Sequence, residues 1–346
     1  MSVVASSVAA RRWDWSEGGR YAALVAILAV ATIGCMAASL LAGYAPLDVP
    51  AAFADLVAGR DTLAALVLLE LRLPRALLGA LVGFSLGITG AAMQGLLRNP
   101  LAEPGVVGIS GAAALGAVVV FYSGLAGLVA LALPLGGIAG AALATVVLYG
   151  LVGRGAGTMT LVLAGVAINS FAGALTSLAL NLSPNPYAAT EIIFWLMGSL
   201  ADRSLAHVWL TLPLMGLGWA LLILSGPALD GLTLGEDTAR SLGFNLERLR
   251  LQLISGAALA VGSAVAVSGA IGFVGLVVPH LLRPLVGHRP GRLLLVSGFG
   301  GAVLTLAADA AVRLLPIRPE LKLGVVTAIV GAPFLFWLIY RLRRLA

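Results

Sequence analysis

Residues able to do chemistry are few in this chain and stand far apart. There are three histidines, His207, His280 and His288, and one cysteine, Cys35. None of the histidines forms a ligand pair at helical spacing, so a metal site has no visible frame. A single cysteine excludes disulfide scaffolds and cysteine-rich metal centres. Lys322 is the only lysine and no Gly-Lys pair exists, so the chain cannot build a G-x-x-x-x-G-K-[ST] phosphate loop. No Ser/His/Asp or paired-carboxylate constellation appears in the apolar segments, which argues against an enzyme.

Three patterns remain, and all of them suit non-covalent work. The first is a polar stretch at 226–250 centred on Thr233, Leu234, Gly235, Glu236, Asp237, Thr238, Ala239, Arg240, Ser241, Leu242 and Gly243. Thr233 and Glu236 have capping-box spacing. Acidic residues at the start and Arg240 near the end complement a helix dipole, and Gly243 is a natural stop. A short helix is therefore expected, either a docking element or simply a capped loop. The second is a stripe of Asn169, Gly173, Thr176, Ser177 and Leu180 at helical spacing, which suits either a polar path or small-residue helix packing. The third is a set of arginines, Arg60, Arg72, Arg75 and Arg313, which could form a positive rim or snorkel to headgroups.

The elements that position these patterns follow from composition. Of the 346 residues, 60% are hydrophobic and 10% charged, with a mean hydropathy of +1.05. Soluble domains carry about 25% charged residues. The apolar runs are continuous rather than alternating, which excludes a β-barrel. The reading is an all-α polytopic membrane protein with ten transmembrane helices, at 21–44, 74–97, 108–129, 131–152, 158–181, 206–225, 251–270, 271–286, 292–315 and 322–340. Residues 1–20 and 341–346 form cytoplasmic tails around one transmembrane domain, 21–340. With the termini inside, seven of the 21 basic residues face out: Arg60, Arg72, Arg75, Arg203, Arg313, Arg318 and Lys322. The other 14 face in, as the positive-inside rule requires. That rule also explains the +6 charge without a nucleic acid.

There is an internal echo. Gly87-Ile-Thr-Gly90 precedes Leu96-Leu97-Arg98, and Gly272-Phe-Val-Gly275 precedes Leu281-Leu282-Arg283 at the same spacing. A diverged duplication and chance matching both account for it. No carboxylate lies deep in a span: Glu191 and Asp202 fall in an outer interval and Asp309 near an outer end. A stand-alone secondary transporter, the rival reading, usually needs an intramembrane carboxylate relay.

Several segments together closely resemble the FecCD-type permeases, the membrane subunits of bacterial ABC importers for ferric siderophores, haem and cobalamin. They are LRLPR at 71–75, GAAMQGLLRNPLAEPGVVGIS at 90–110, LVLAGVA at 161–167, LTLGEDTARSLG at 232–243, SGAIGFVGLVVPHLLR at 268–283 and LGVVTAIVGAPFLFWL at 323–338. The resemblance implies a homodimer in the inner membrane, in contact with lipid, on two ATP-binding cassette subunits that hold ATP and magnesium. No cofactor is implied in this chain. A periplasmic binding protein would deliver substrate, docking on the positions matching Arg72, Arg75 and Arg313, with Arg60 a weaker match. Thr233, Gly235, Glu236, Asp237, Arg240, Leu242 and Gly243 would couple to the ATPase. The path would run along the fifth span at the dimer axis, past Asn169, Gly173, Thr176 and Ser177. Asn99, Leu101, Gly157 and Thr158 would close it inside. The residues do not distinguish haem, a siderophore and cobalamin.

Overall fold

A computed structural model describes residues 15–43, 47–129, 131–153, 157–183, 186–317 and 319–343. Arg11, Arg12, Arg154, Arg318 and Arg344, counted above, lie outside the described residues. Within those residues every regular element is helical. Helix α1 runs over Trp15–Leu41, α2 over Val49–Val57 and α3 over Leu63–Leu96. Then follow α4 (Ile109–Tyr122), α5 (Ala132–Val152), α6 (Thr158–Asn181), α7 (Pro186–Leu196) and α8 (Leu205–Leu224). Two short helices, α9 (Gly226–Leu232) and α10 (Glu236–Ser241), lead into α11 (Leu246–Ser268). The chain ends with α12 (Val274–Leu282), α13 (Pro290–Leu314) and α14 (Leu323–Arg343).

Eight of these helices are long and apolar enough to cross a bilayer. The fifth predicted span coincides with α6, residue for residue. Two expected spans are shorter. At 1.5 Å per residue, the 14 residues of α4 reach only about 21 Å of a roughly 30 Å core. The shortfall lies at its far end, where the chain beyond Tyr122 forms turns around a 3-10 segment, Leu125–Gly127. After α3 ends, residues 98–108 fold back among the helices, and a 3-10 turn, Pro104–Val107, packs against Gly165 and Gly275. Helix α12 likewise starts only after an irregular break at 269–273, where Gly269 and Phe273 both take positive φ.

Helix α3 begins eleven residues before the expected boundary at Pro74, so part of the mixed segment 45–73 is helical. Pro74 cannot donate an N–H, and a π-helical turn at Val67–Arg72 shifts the hydrogen-bond register just ahead of it. The centre of the bundle is the pair α3 and α13. A Cβ on Gly83 would overlap the Gly301 carbonyl, so the two backbones touch there as only small residues permit. Leu78, Val82, Ile88, Leu293, Leu294 and Val296 fill the space beside that contact.

The bundle has two polar ends. At one, Asp230 accepts from the Gly291 amide at 2.7 Å and Leu229 packs on Gly95 and beside Pro290. The end of α3, the start of α13 and segment 226–250 therefore meet there. At the other, the end of α13 meets the end of α1 and the start of α3.

Candidate functional site

The first of those ends carries the coupling segment. Gly235 (φ +103) and Gly243 (φ +90) bracket α10, and glycine is the residue that takes such angles without a Cβ clash. Thr233 does not cap this helix, contrary to the expected capping box. Its own backbone is helical, at φ −62 and ψ −25, and it closes α9 with its hydroxyl donating to Asp230 O at 2.7 Å. An N-cap needs extended backbone angles, and the chain turns only at Gly235. Ala239 is buried beneath the helix, while Asp237 is 99% exposed and Leu234 and Leu242 point away from the bundle.

Glu236 is the hub of this end. It accepts from Arg240 Nη2 at 3.1 Å and from Arg250 Nη2 at 3.0 and 3.1 Å. Thr158 Oγ1 donates to it at 3.3 Å. Arg250 was legible in the sequence only as one more inward cation. Its place fourteen residues beyond Glu236, on a different helix, has no local signature.

Of the expected gate residues, Asn99 turns back on its own loop, its Oδ1 accepting from the Leu101 amide at 2.9 Å. Asn99 and Gly157 are exposed, and Leu101 and Thr158 are half-buried. Among the described residues no hydrogen bond joins 99–101 to 157–158 within one chain. Of these four, only Thr158 is hydrogen-bonded to a predicted site residue outside the gate set, Glu236.

Helix α6 buries Leu161, Ala164, Gly165 and Ala172 and leaves its opposite face open. Gly173 and Ser177 are exposed on that face and Thr176 is half-buried, while Asn169, also exposed, sits at the margin of the packed face with its amide against Gly111 of α4. Nothing lies within 4 Å of where a Gly173 Cβ would sit. Ser177 spends its hydroxyl on Gly173 O at 2.9 Å, so it offers little unsatisfied polarity. Asn169 also lines a cavity of about 300 Å³ between α6, the 104–107 turn and the 269–273 break. Glu103 lies on its wall with Ser110 and Phe273. The fold-back of residues 98–108 brings Glu103 to the same cavity wall as Leu86 of α3.

The arginines at the far end are largely engaged within the chain. Arg72 is 6% and Arg313 5% exposed. Arg72 Nη1 donates to Leu40 O (2.7 Å) and Leu41 O (3.1 Å), and Arg313 Nη1 to Ser39 O (2.8 Å) and Ala42 O (2.9 Å). These are carbonyls at the end of α1, which no helical N–H can reach. Two cations there also meet the negative end of the helix dipole. Asp309, 1% exposed, binds Arg313 at 2.9 Å and Arg75 at 2.8 Å, and Glu320 also pairs with Arg75. Burial makes these pairings obligatory, since an unpaired guanidinium inside is very costly. Arg60 is the exposed member, held by Asp55 at 2.6 Å.

A bundle with eight helices long and apolar enough to cross a membrane and a solvent-facing acidic-basic helix at one end has the make-up of a membrane permease. The chain belongs to the FecCD transport family, which it matches over residues 28–341. It is thus the membrane permease of an ABC importer. It is 41% identical over 274 residues to the vitamin B12 import system permease BtuC of Vibrio cholerae, covering 79% of this chain and 82% of that one. It is 38% identical over 321 residues to the Fe(3+) dicitrate permease FecD of Escherichia coli, covering 93% and 99%. The hemin transport permease HmuU of Yersinia pestis is 38% identical over 277 residues, covering 80% and 83%. Among solved structures, a chain described as an inward-facing metal-chelate type ABC transporter superposes with a TM-score of 0.80 at 28% identity. That superposition covers 92% of this chain and 99% of the other.

Proposed function

We propose that two copies of this chain form the path of an importer for a large metal chelate, a ferric siderophore, haem or cobalamin, in the bacterial inner membrane with both termini cytoplasmic. ATP and magnesium belong to two partner ATPase subunits, and a periplasmic binding protein hands over the substrate. The observation that carries this reading is α10. A six-residue helix that rests on Ala239 and turns Asp237, Leu234 and Leu242 outward offers a protein partner a charged and apolar grip. The coupling role of Thr233, Gly235, Glu236, Asp237, Arg240, Leu242 and Gly243 belongs to this reading. So does the path role of Asn169, Gly173, Thr176 and Ser177, supported by the open face of α6. Gating by Asn99, Leu101, Gly157 and Thr158 fits their position at the same end as α10. Docking of the binding protein is assigned to the outer end, with Arg60 and the partly exposed edge of Arg75 as its cations.

The test is reconstitution in liposomes with the ATPase and the binding protein. Haem, ferric siderophores and cobalamin are offered in turn, and ATP hydrolysis and uptake are followed. One class should stimulate both. Hydrolysis that no chelate stimulates would overturn the reading.

A further inference from the structure

We propose that Glu236 is the latch between the coupling helix and the inner gate. Its carboxylate tethers the first residue of α6, so displacement of α10 is felt at Gly157–Thr158. The proposal rests on the permease reading above and adds to it a specific atomic link.

Helix α6 begins without a side-chain cap. Its N-cap position is Gly157, which has no side chain to accept from the first-turn amides. A helix start leaves such amides unsatisfied and favours a nearby negative charge. The charge is supplied from 78 residues away, where Glu236 Oε1 accepts from Thr158 Oγ1 at 3.3 Å. Glu236 is also the first residue of α10. The gate helix and the coupling helix therefore touch through the first residue of each.

The remaining contacts decide which bond yields first. Arg250 grips both oxygens of Glu236 at 3.0 and 3.1 Å, and Arg240 adds a bond at 3.1 Å. Those are charge-assisted and stronger than a bond from a neutral hydroxyl. Arg250 stands on α11, which is anchored by buried Leu249 and Leu253. When a partner pulls on α10, the two Arg250 bonds resist, while Arg240 lies on α10 itself and moves with it. The Thr158 bond, the longest and the one whose donor carries no charge, parts first. Losing it removes the charge from the start of α6 and frees Gly157–Thr158 to move.

The assembled complex of permease, ATPase and binding protein gives the test. Thr158→Val keeps the shape and removes the donor, while Thr158→Ser keeps the donor. The valine variant should still co-purify with the ATPase. The substrate moved per ATP should fall about fivefold, the factor a lost hydrogen bond is worth, and the serine variant should restore it. In the isolated permease, amide exchange over residues 159–162 should quicken by a similar factor in Thr158→Val and in Glu236→Ala. A valine variant with wild-type stoichiometry and wild-type exchange overturns the latch, as does a serine variant impaired like the valine. If the wild-type complex neither assembles nor transports, the permease reading fails instead, and the exchange measurement still decides the latch.

Discussion

Gly90 and Gly275 face each other so closely that a Cβ on Gly90 would overlap the Gly275 carbonyl. Each is the last residue of one copy of the internal echo, Gly87–Gly90 and Gly272–Gly275. The two copies pack on each other, α3 against the start of α12. Gln94 strengthens the contact by donating to Leu276 O at 3.2 Å, and Arg283 donates to Gln94 Oε1. A backbone carbonyl cannot rotate aside as a side chain can. Gly90→Ala should therefore cost at least the 1–3 kcal/mol of ordinary overpacking. Gly173→Ala, in open space on a helix, should gain about 0.5–1 kcal/mol. Thermal unfolding in detergent measures both, and equal midpoints would contradict the packing.

Arg313 holds α1 by its last carbonyls and shares Asp309 with Arg75. Arg313→Ala leaves Asp309 to Arg75 alone and takes the donor from the carbonyls of Ser39 and Ala42, at a cost of roughly 1–3 kcal/mol. Cys35, the only cysteine, lies on α1 and reports its seating. Labelling by a membrane-permeant maleimide should speed up in Arg313→Ala and in Arg72→Ala. Unchanged labelling would mean that α1 is held by its apolar face alone.

Binding-protein association should depend on Arg60 without a folding penalty. The residue is exposed and its partner Asp55 lies on the same surface, so Arg60→Glu should alter stability by less than about 1 kcal/mol. The association rate should drop and its salt dependence flatten, because rim charges act on encounter. Stopped-flow mixing at several ionic strengths reads both, and a wild-type slope would remove Arg60 from the docking surface. Arg72→Glu, by contrast, puts a carboxylate against the carbonyls of α1 and should fail to fold.

Ser177→Trp tests the path. Ser177 is exposed on the open face of α6, so the indole has room within one chain and the permease should fold and bind its ATPase. Uptake should be blocked while ATP hydrolysis continues. Normal uptake would move the path to another face of the bundle.

Much of the architecture was legible in the residues. Continuous apolar runs dictated helices, and α6 falls on its predicted span because both boundaries are marked locally, by Gly157 before it and by Leu182-Ser183-Pro184 after it. Gly243 stops α10 for the same kind of reason. These features depend on neighbours within about one helical turn, which the sequence lists side by side. The tertiary structure decided the rest. Thr233 had the right spacing for a cap, yet the chain turned two residues later. Arg72 and Arg313 looked like surplus outward cations until packing brought the end of α1 beside them, 274 residues away along the chain in the case of Ser39 and Arg313. Glu103 and Asn169 meet across one cavity only because residues 98–108 fold back into the bundle. The meaning of a charge depends on what shares its low-dielectric surroundings, and long-range packing alone determines that.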